Sequence, residues 1–308
     1  MDVKISKKKI NDVVVPPAKL EGGGDDRPPR GKKLFTEPYA NIFLSAKKKS
    51  GKTSTIFFIL KKIISKNTKL IIFCSTVHKD PIYKEILKWC DQKGIEYEVN
   101  TSLRDENGTD LLQDLVYRLQ NENDEIKEVK EIKGHGQIQQ LNIDPREYLK
   151  QRGQGIAQQL LDFNNPIPPF INYAGIGSGT TKEKKERKTK YKERKYIVVM
   201  DDLSDELKTP SLTALYKKNR HFKMCTITSS QYYKDLQISA RKNIDYYLLW
   251  KGLDTERLES IYRDANLTVD FDVFEKLYKD ATEKPYHFLY VDTVNDTFRD
   301  SFNSEYKI

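Results

Sequence analysis

Lys52 and Thr53 follow a glycine at the end of the run Ala46-Lys47-Lys48-Lys49-Ser50-Gly51-Lys52-Thr53. The spacing fits the G-x-x-x-x-G-K-[ST] pattern of a loop that cradles phosphates, except that Ala46 stands at the first glycine. Such a loop needs inward-pointing amides beside the positive start of a helix. Gly51 lets the backbone approach the anion, Lys52 reaches the β- and γ-phosphates of ATP, and the Thr53 hydroxyl binds Mg²⁺. Ser54 completes the nucleotide-contacting run. Alanine at position 46 is acceptable only if that residue does not need a positive φ. The plain alternative is a chance Gly-Lys-Thr at a helix start.

A second constellation is Ile197-Val198-Val199-Met200-Asp201-Asp202, four apolar residues ending in two carboxylates. A buried strand of this kind delivers Asp201 beside Thr53 to hold the Mg²⁺ shell. Asp202 is then placed as general base for the attacking water. The bland reading is a strand followed by a helix-capping Asp. A third is Thr228-Ser229-Ser230-Gln231, at the C-terminal end of an apolar strand, where ligand-contacting residues emerge from parallel sheets. Gln231 is the candidate γ-phosphate sensor. Arg220 and Arg241 are candidates for an arginine that reaches a neighbouring subunit's site, and both also suit plain helix-end partners. His78 reads as an exposed loop histidine. Cys74, Cys90 and Cys225 are too sparse for a disulfide framework or a zinc site, and Cys74 and Cys225 sit in apolar runs.

These residues need a scaffold, and the pattern supplies one. Strands are expected at Asn41–Leu44, Leu70–Ser75, Glu96–Val99, Tyr196–Met200, Lys223–Thr228, Tyr246–Trp250 and, last, His287–Asp292. Helices are expected at Thr53–Lys66, Pro81–Cys90, Asp110–Gln120, Ser211–Lys218, Asp254–Asp264 and Val269–Lys279. Alternating buried strands and helices predict an α/β fold with a mostly parallel, doubly wound sheet. Residues 121–195 loosen into Glu/Lys-rich, Gln-rich, Pro and Gly stretches and read as an irregular insertion, with some helix at Arg146–Phe163.

The 308 residues are 32% charged and 37% hydrophobic, polar for a globular chain, with a net charge of +9. That charge concentrates in residues 1–33, read as a disordered arm, and in residues 181–195, read as a basic linker. The rest is about neutral. Such segments suit polyanions or serve as solvated spacers. No secretory signal and no run of membrane-spanning length is visible, so a reducing, intracellular setting is expected.

The order of the Lys52 loop, Phe73-Cys74-Ser75-Thr76-Val77-His78-Lys79-Asp80, Met200-Asp201-Asp202, Arg220-His221-Phe222, Ser229-Ser230-Gln231 and Arg241-Lys242-Asn243 resembles the DNA-packaging ATPases of large DNA viruses and virophages. These belong to the FtsK/HerA branch of P-loop motors. The resemblance covers about Phe35 to Val291. It implies a P-loop NTPase domain over residues 34–308, interrupted by the insertion. It also implies a homo-oligomeric ring of five or six subunits that moves double-stranded DNA into a capsid and docks on a capsid or portal-vertex protein. The setting would be the host cytoplasm, in viral factories, and the virion. Arg220 or Arg241 would be the trans arginine, and the pattern does not choose. Ala46 and the long insertion depart from the family. No nuclease domain of the large-terminase kind is recognised. Helicases, conjugation-type translocases and a scaffold that binds nucleotide without turnover are the rivals.

Overall fold

The computed structural model describes residues 27–134 and 190–308, with backbone alone for residues 123–134. It divides into two compact units: residues 1–116 with 189–308, and residues 117–188. The described part of the second unit is Tyr117–Gly134, the continuation of a helix. The Arg146–Phe163 helix, most of the 1–33 arm and the greater part of the basic run lie outside the described residues.

The first unit is built on a nine-stranded sheet in the order β3-β2-β4-β5-β1-β6-β7-β8-β9. The strands are β1 (Asn41–Ser45), β2 (Lys69–Cys74), β3 (Tyr97–Asn100), β4 (Tyr196–Asp201), β5 (Met224–Ser230), β6 (Tyr246–Trp250), β7 (Phe288–Asp292), β8 (Thr297–Asp300) and β9 (Ser304–Glu305). The first six run parallel, as the continuous apolar character of β1, β2, β4 and β6 predicts for strands covered on both faces. Every residue of β1, β4, β5 and β6 is buried.

The helices among the described residues are α1 (Lys52–Ile63), α2 (Pro81–Lys93), α3 (Leu111–Gly134), α4 (Pro210–Lys218), the single turn α5 (Ile238–Arg241), α6 (Thr255–Ala265) and α7 (Phe271–Ala281). α1 and α2 pack their apolar stripes on one face, against Ile42, Leu44, Ile72, Val199 and Ile227. α4 lies on the other, where the Tyr216 hydroxyl donates to Thr228 Oγ1. The sheet is therefore doubly wound.

Several expectations are corrected. His287–Asp292 is not the last strand. Asp292 accepts the amides of Val294 and Asn295 and turns the chain into β8, which runs antiparallel to β7. The sequence hides β8 because Phe298 is its one buried side chain. α1 ends at Ile63 rather than Lys66, since Ser65 donates its amide to Thr68 Oγ1 and starts a turn. α3 continues past Gln120 to Gly134. The basic run is not a free linker to its end. Lys192 pairs with Pro28 and Arg30 through the backbone, and Arg194, 1% exposed, donates to the carbonyls of Arg30 and Ile63. Ordered structure accordingly begins before Phe35.

Candidate functional site

β1 runs directly into the Ala46–Thr53 loop, and the loop into α1. Gly51 caps α1 with φ of 89° and ψ of 8°, a conformation glycine adopts without strain. Ala46 is absent from the positive-φ residues, which explains why it stands where the pattern has glycine. Lys49, at φ 64°, makes the second left-handed turn of the loop. The amides that open α1 have no partner in the preceding turn, and α1 carries no acidic residue in its first turn. The helix start is thus left positive. Lys47, Lys48 and Lys49 are exposed beside it. An open cleft of about 330 Å³ is lined by Lys47, Lys49, Ser50, Gly51, Lys52, Thr53 and Ser54, with Asp80, Ile82 and Tyr286 opposite.

The acidic strand end arrives indirectly. β5 lies between β1 and β4, so Asp201 is two strands from the loop's own strand. The register places Asp201 beside Ser229, and Ser229 beside Leu44, on the face that α1 covers. From there Asp201 meets Lys52: Nζ to Oδ1 is 2.9 Å, with the two side chains 15% and 3% exposed. Asp201 Oδ2 accepts the Tyr83 hydroxyl at 3.0 Å. Burial, with the Asp201 charge next to it, pushes the Tyr83 phenol well above its usual range, so it stays a donor. Burial likewise raises the neighbouring Cys74 thiol.

Asp202 follows in a left-handed conformation, φ 57°, and its carbonyl accepts the Ser75 hydroxyl at 2.7 Å. It is half-buried. Asp201 faces Lys52, and the left-handed turn at Asp202 ends the strand there. Gln231, just past β5, lines a small pocket with Ser45, Ala46 and Lys47. The hydroxyls of Ser50 and Ser229 are buried without a hydrogen-bond partner. Ser50 sits in the loop and Ser229 beside Asp201. Buried unpaired hydroxyls are costly, and they cluster where an incoming polar ligand would satisfy them.

The oxygen donors fit Mg²⁺. Thr53 and Asp201 offer a hydroxyl and a carboxylate, and Mg²⁺ takes few protein ligands, completing its shell with phosphate oxygens and water. Among the described residues no group of three or more His, Cys, Asp or Glu could hold a metal by itself.

The two arginines part company. Arg241 is turned inward: Nε donates to the Leu236 carbonyl at 2.7 Å, its guanidinium lies 4.9 Å over the Tyr233 ring, and Nη1 is 3.7 Å from Asp264. Its side chain is 11% exposed, so the trans role read for it does not fit. Arg220 has a side chain 65% exposed, which among the described residues makes a 3.9 Å contact to Asp245. It precedes β5, at the N-terminal end of the parallel strands, and the phosphate loop leaves their C-terminal end. His78 is exposed, and the three cysteines are free and buried. Sequence reasoning passed over Tyr83 and Tyr286 and gave Ser229 no role of its own. Ser229 stood in a run already singled out, but nothing local marked the two tyrosines.

A parallel sheet whose first strand turns through a glycine-lysine loop into a helix, with a buried strand-end aspartate on that lysine, defines a P-loop NTPase domain. Residues 176–296 match the family model described as Poxvirus A32 protein, which bears out the resemblance to viral genome-packaging ATPases of the FtsK/HerA type. That stretch holds Asp201, Asp202, Arg220 and Gln231 and begins after the phosphate loop. The uncharacterized protein 088R of Invertebrate iridescent virus 3 is 32% identical over 103 residues. The match takes in 32% of this chain and 39% of the relative's length. Among solved structures, the genome packaging NTPase B204 of Sulfolobus turreted icosahedral virus 2 with AMP is similar at a TM-score of 0.47 and 17% identity, over 88% of this chain and 99% of that one. Its complex with ATP-gammaS is similar at 0.46 and 17%, over 85% and 97%.

Proposed function

We propose that the chain is an ATPase that moves double-stranded DNA and packages a viral genome into a capsid. The observation that carries the ATPase reading is the Lys52–Asp201 ion pair at the mouth of the phosphate-loop cleft. In this reading the loop amides and Lys52 take the β- and γ-phosphates of ATP, and Lys52 leaves Asp201 for them. Asp201 and Thr53 would hold Mg²⁺, which would supply charge neutralisation on the phosphates. Asp202 takes a proton from a water. That water's oxygen attacks the γ-phosphorus, the bond to the bridging oxygen breaks, and ADP leaves with the electron pair. Gln231, at the loop's other flank, senses the γ-phosphate. Arg220 acts on the site of the next subunit in a ring of five or six. The basic run at 181–195 contacts DNA or a capsid or portal-vertex protein, in the viral factory of the host cytoplasm. Among the described residues no helix is long and apolar enough to cross a membrane.

The test is phosphate release by the purified protein with duplex or single-stranded DNA. Duplex DNA is expected to stimulate release more than single strands. Lys52→Ala should abolish it, and Asp202→Asn should lower turnover by roughly 10²-fold or more while nucleotide still binds. Preference for single strands selects a helicase. Nucleotide binding without turnover in the wild type selects a scaffold.

A further inference from the structure

The phosphate cleft does not end at the loop. A second recess of about 550 Å³ adjoins it and shares Lys47, Lys49, Ser50 and Tyr286 with it. Its far wall is the turn that joins α7 to β7, together with the end of β6 at Trp250. Tyr286 stands at the junction of the two. It is 71% exposed, a large aromatic ring left in solvent at the edge of a cationic cleft.

Its backbone is held in place. Tyr286 has φ of 67°, a left-handed conformation that a bulky residue adopts only when its surroundings impose it, and such strain gathers at ligand sites. The Trp250 indole Nε1 donates to the Tyr286 carbonyl at 3.3 Å. Trp250 itself is packed against Phe288, with ring centroids 4.6 Å apart. The ring of Tyr286 reaches back to the phosphate loop: a Cβ built on Gly51 would lie 3.3 Å from Tyr286 Cδ1. A rigid turn therefore holds an exposed aromatic face next to the glycine that lets a triphosphate approach. His287 Nδ1 is engaged with Asp300 at 2.7 Å, and the recess sets the aromatic face of Tyr286 among the ammonium groups of Lys47, Lys48, Lys251 and Lys284.

We propose that the nucleobase of the bound nucleotide stacks on Tyr286, in the recess between the 283–287 turn and the phosphate loop. This rests on the reading that residues 46–53 hold the phosphates. Stacking on an aromatic ring accepts the π-face of any base and contributes through contact and desolvation.

The experiment compares ATP with inorganic tripolyphosphate, which has the phosphates and no base. Binding of each, with Mg²⁺, is measured by calorimetry on the wild type, Tyr286→Ala, Tyr286→Phe and Lys52→Ala. Tyr286→Ala is expected to weaken ATP roughly tenfold and leave tripolyphosphate unchanged. Tyr286→Phe should bind both as the wild type does. The thermal midpoint of Tyr286→Ala, an exposed position, checks that the fold is intact. ATP affinity unchanged in Tyr286→Ala would overturn the proposal. Equal loss of both ligands would also overturn it, because Tyr286 would then be supporting the loop. Lys52→Ala binding both ligands normally would instead remove the phosphate-loop reading beneath it.

Discussion

Asp245 shows what burial does to a single carboxylate in this chain. It precedes β6, accepts the Asn41 amide at 2.7 Å, and faces the distant guanidinium of Arg220 as well as the carboxylates of Glu37 and Asp292. Burial pushes its carboxyl up to about 6, against the hydrogen bond from Asn41 and the attraction of Arg220. The unfolded value is about 3.9. Between those values the folded chain keeps a proton that the unfolded chain releases, so this residue's contribution to stability falls as pH rises through that window. Asp245→Asn keeps a side-chain acceptor and removes the titration. Urea midpoints from pH 4 to pH 7 should decline less with rising pH in the variant than in the wild type. Equal slopes would mean that Asp245 titrates as an ordinary surface carboxylate. Lys52 and Asp201 follow the opposite logic: a buried charge beside a countercharge, ready to exchange partners with a polyanion.

At the scale of elements, Asp110 ties two helix starts together. Its Oδ1 accepts the amides of Leu112 and Gln113 at the start of α3, and its Oδ2 accepts the hydroxyls of Thr209 and Ser211 at the start of α4. Burial raises the carboxyl, but these bonds outweigh it and hold it below the usual range. A lowered acid stabilises the fold above the unfolded value of about 3.9, and the gain is lost as pH falls through the folded one. Asp110→Ala should cost about 1–2 kcal/mol at pH 7 by denaturant unfolding, a typical capping loss. The gap from the wild type should narrow in acid. A variant as stable as the wild type at pH 7 would show that the first turns form without the cap. α3 and α4 were legible as helices from their apolar spacing, but their shared cap was not, because Asp110 and Ser211 are far apart in the chain. β8 was missed for a related reason. A short strand with one buried apolar residue carries no periodic signal, and only its pairing with β7 makes it a strand.

At the scale of the whole molecule, the proposed ring predicts that one chain's site is completed by another's. Arg220 is exposed at the N-terminal end of β5, away from the strand ends that carry the phosphate loop, where a neighbouring chain could meet it. An arginine supplied in trans is worth roughly 10³-fold or more in turnover in other phosphoryl-transfer enzymes. Arg220→Ala should lose turnover on that order and still bind nucleotide. Mixing it with Lys52→Ala, each inactive alone, should restore part of the phosphate release. Some interfaces then join an intact site to an intact arginine. Mixtures silent at every ratio would dismiss a trans role for Arg220.

The sequence by itself determined the phosphate loop, the paired aspartates at a strand end and the alternation that makes a parallel sheet. Each is set by neighbours within a few residues, through turn geometry, helix starts and the burial of a strand on both faces. Only the tertiary structure decided that Asp201 meets Lys52, that Arg241 and Arg194 are locked inside, and that Tyr286 stands over the loop glycine. Those contacts depend on strand order, with β5 seated between β1 and β4, and on a turn arriving from the far end of the chain. No local pattern encodes which distant strand becomes a neighbour, because burial rewards any apolar partner and the choice is made by the packing of the whole sheet.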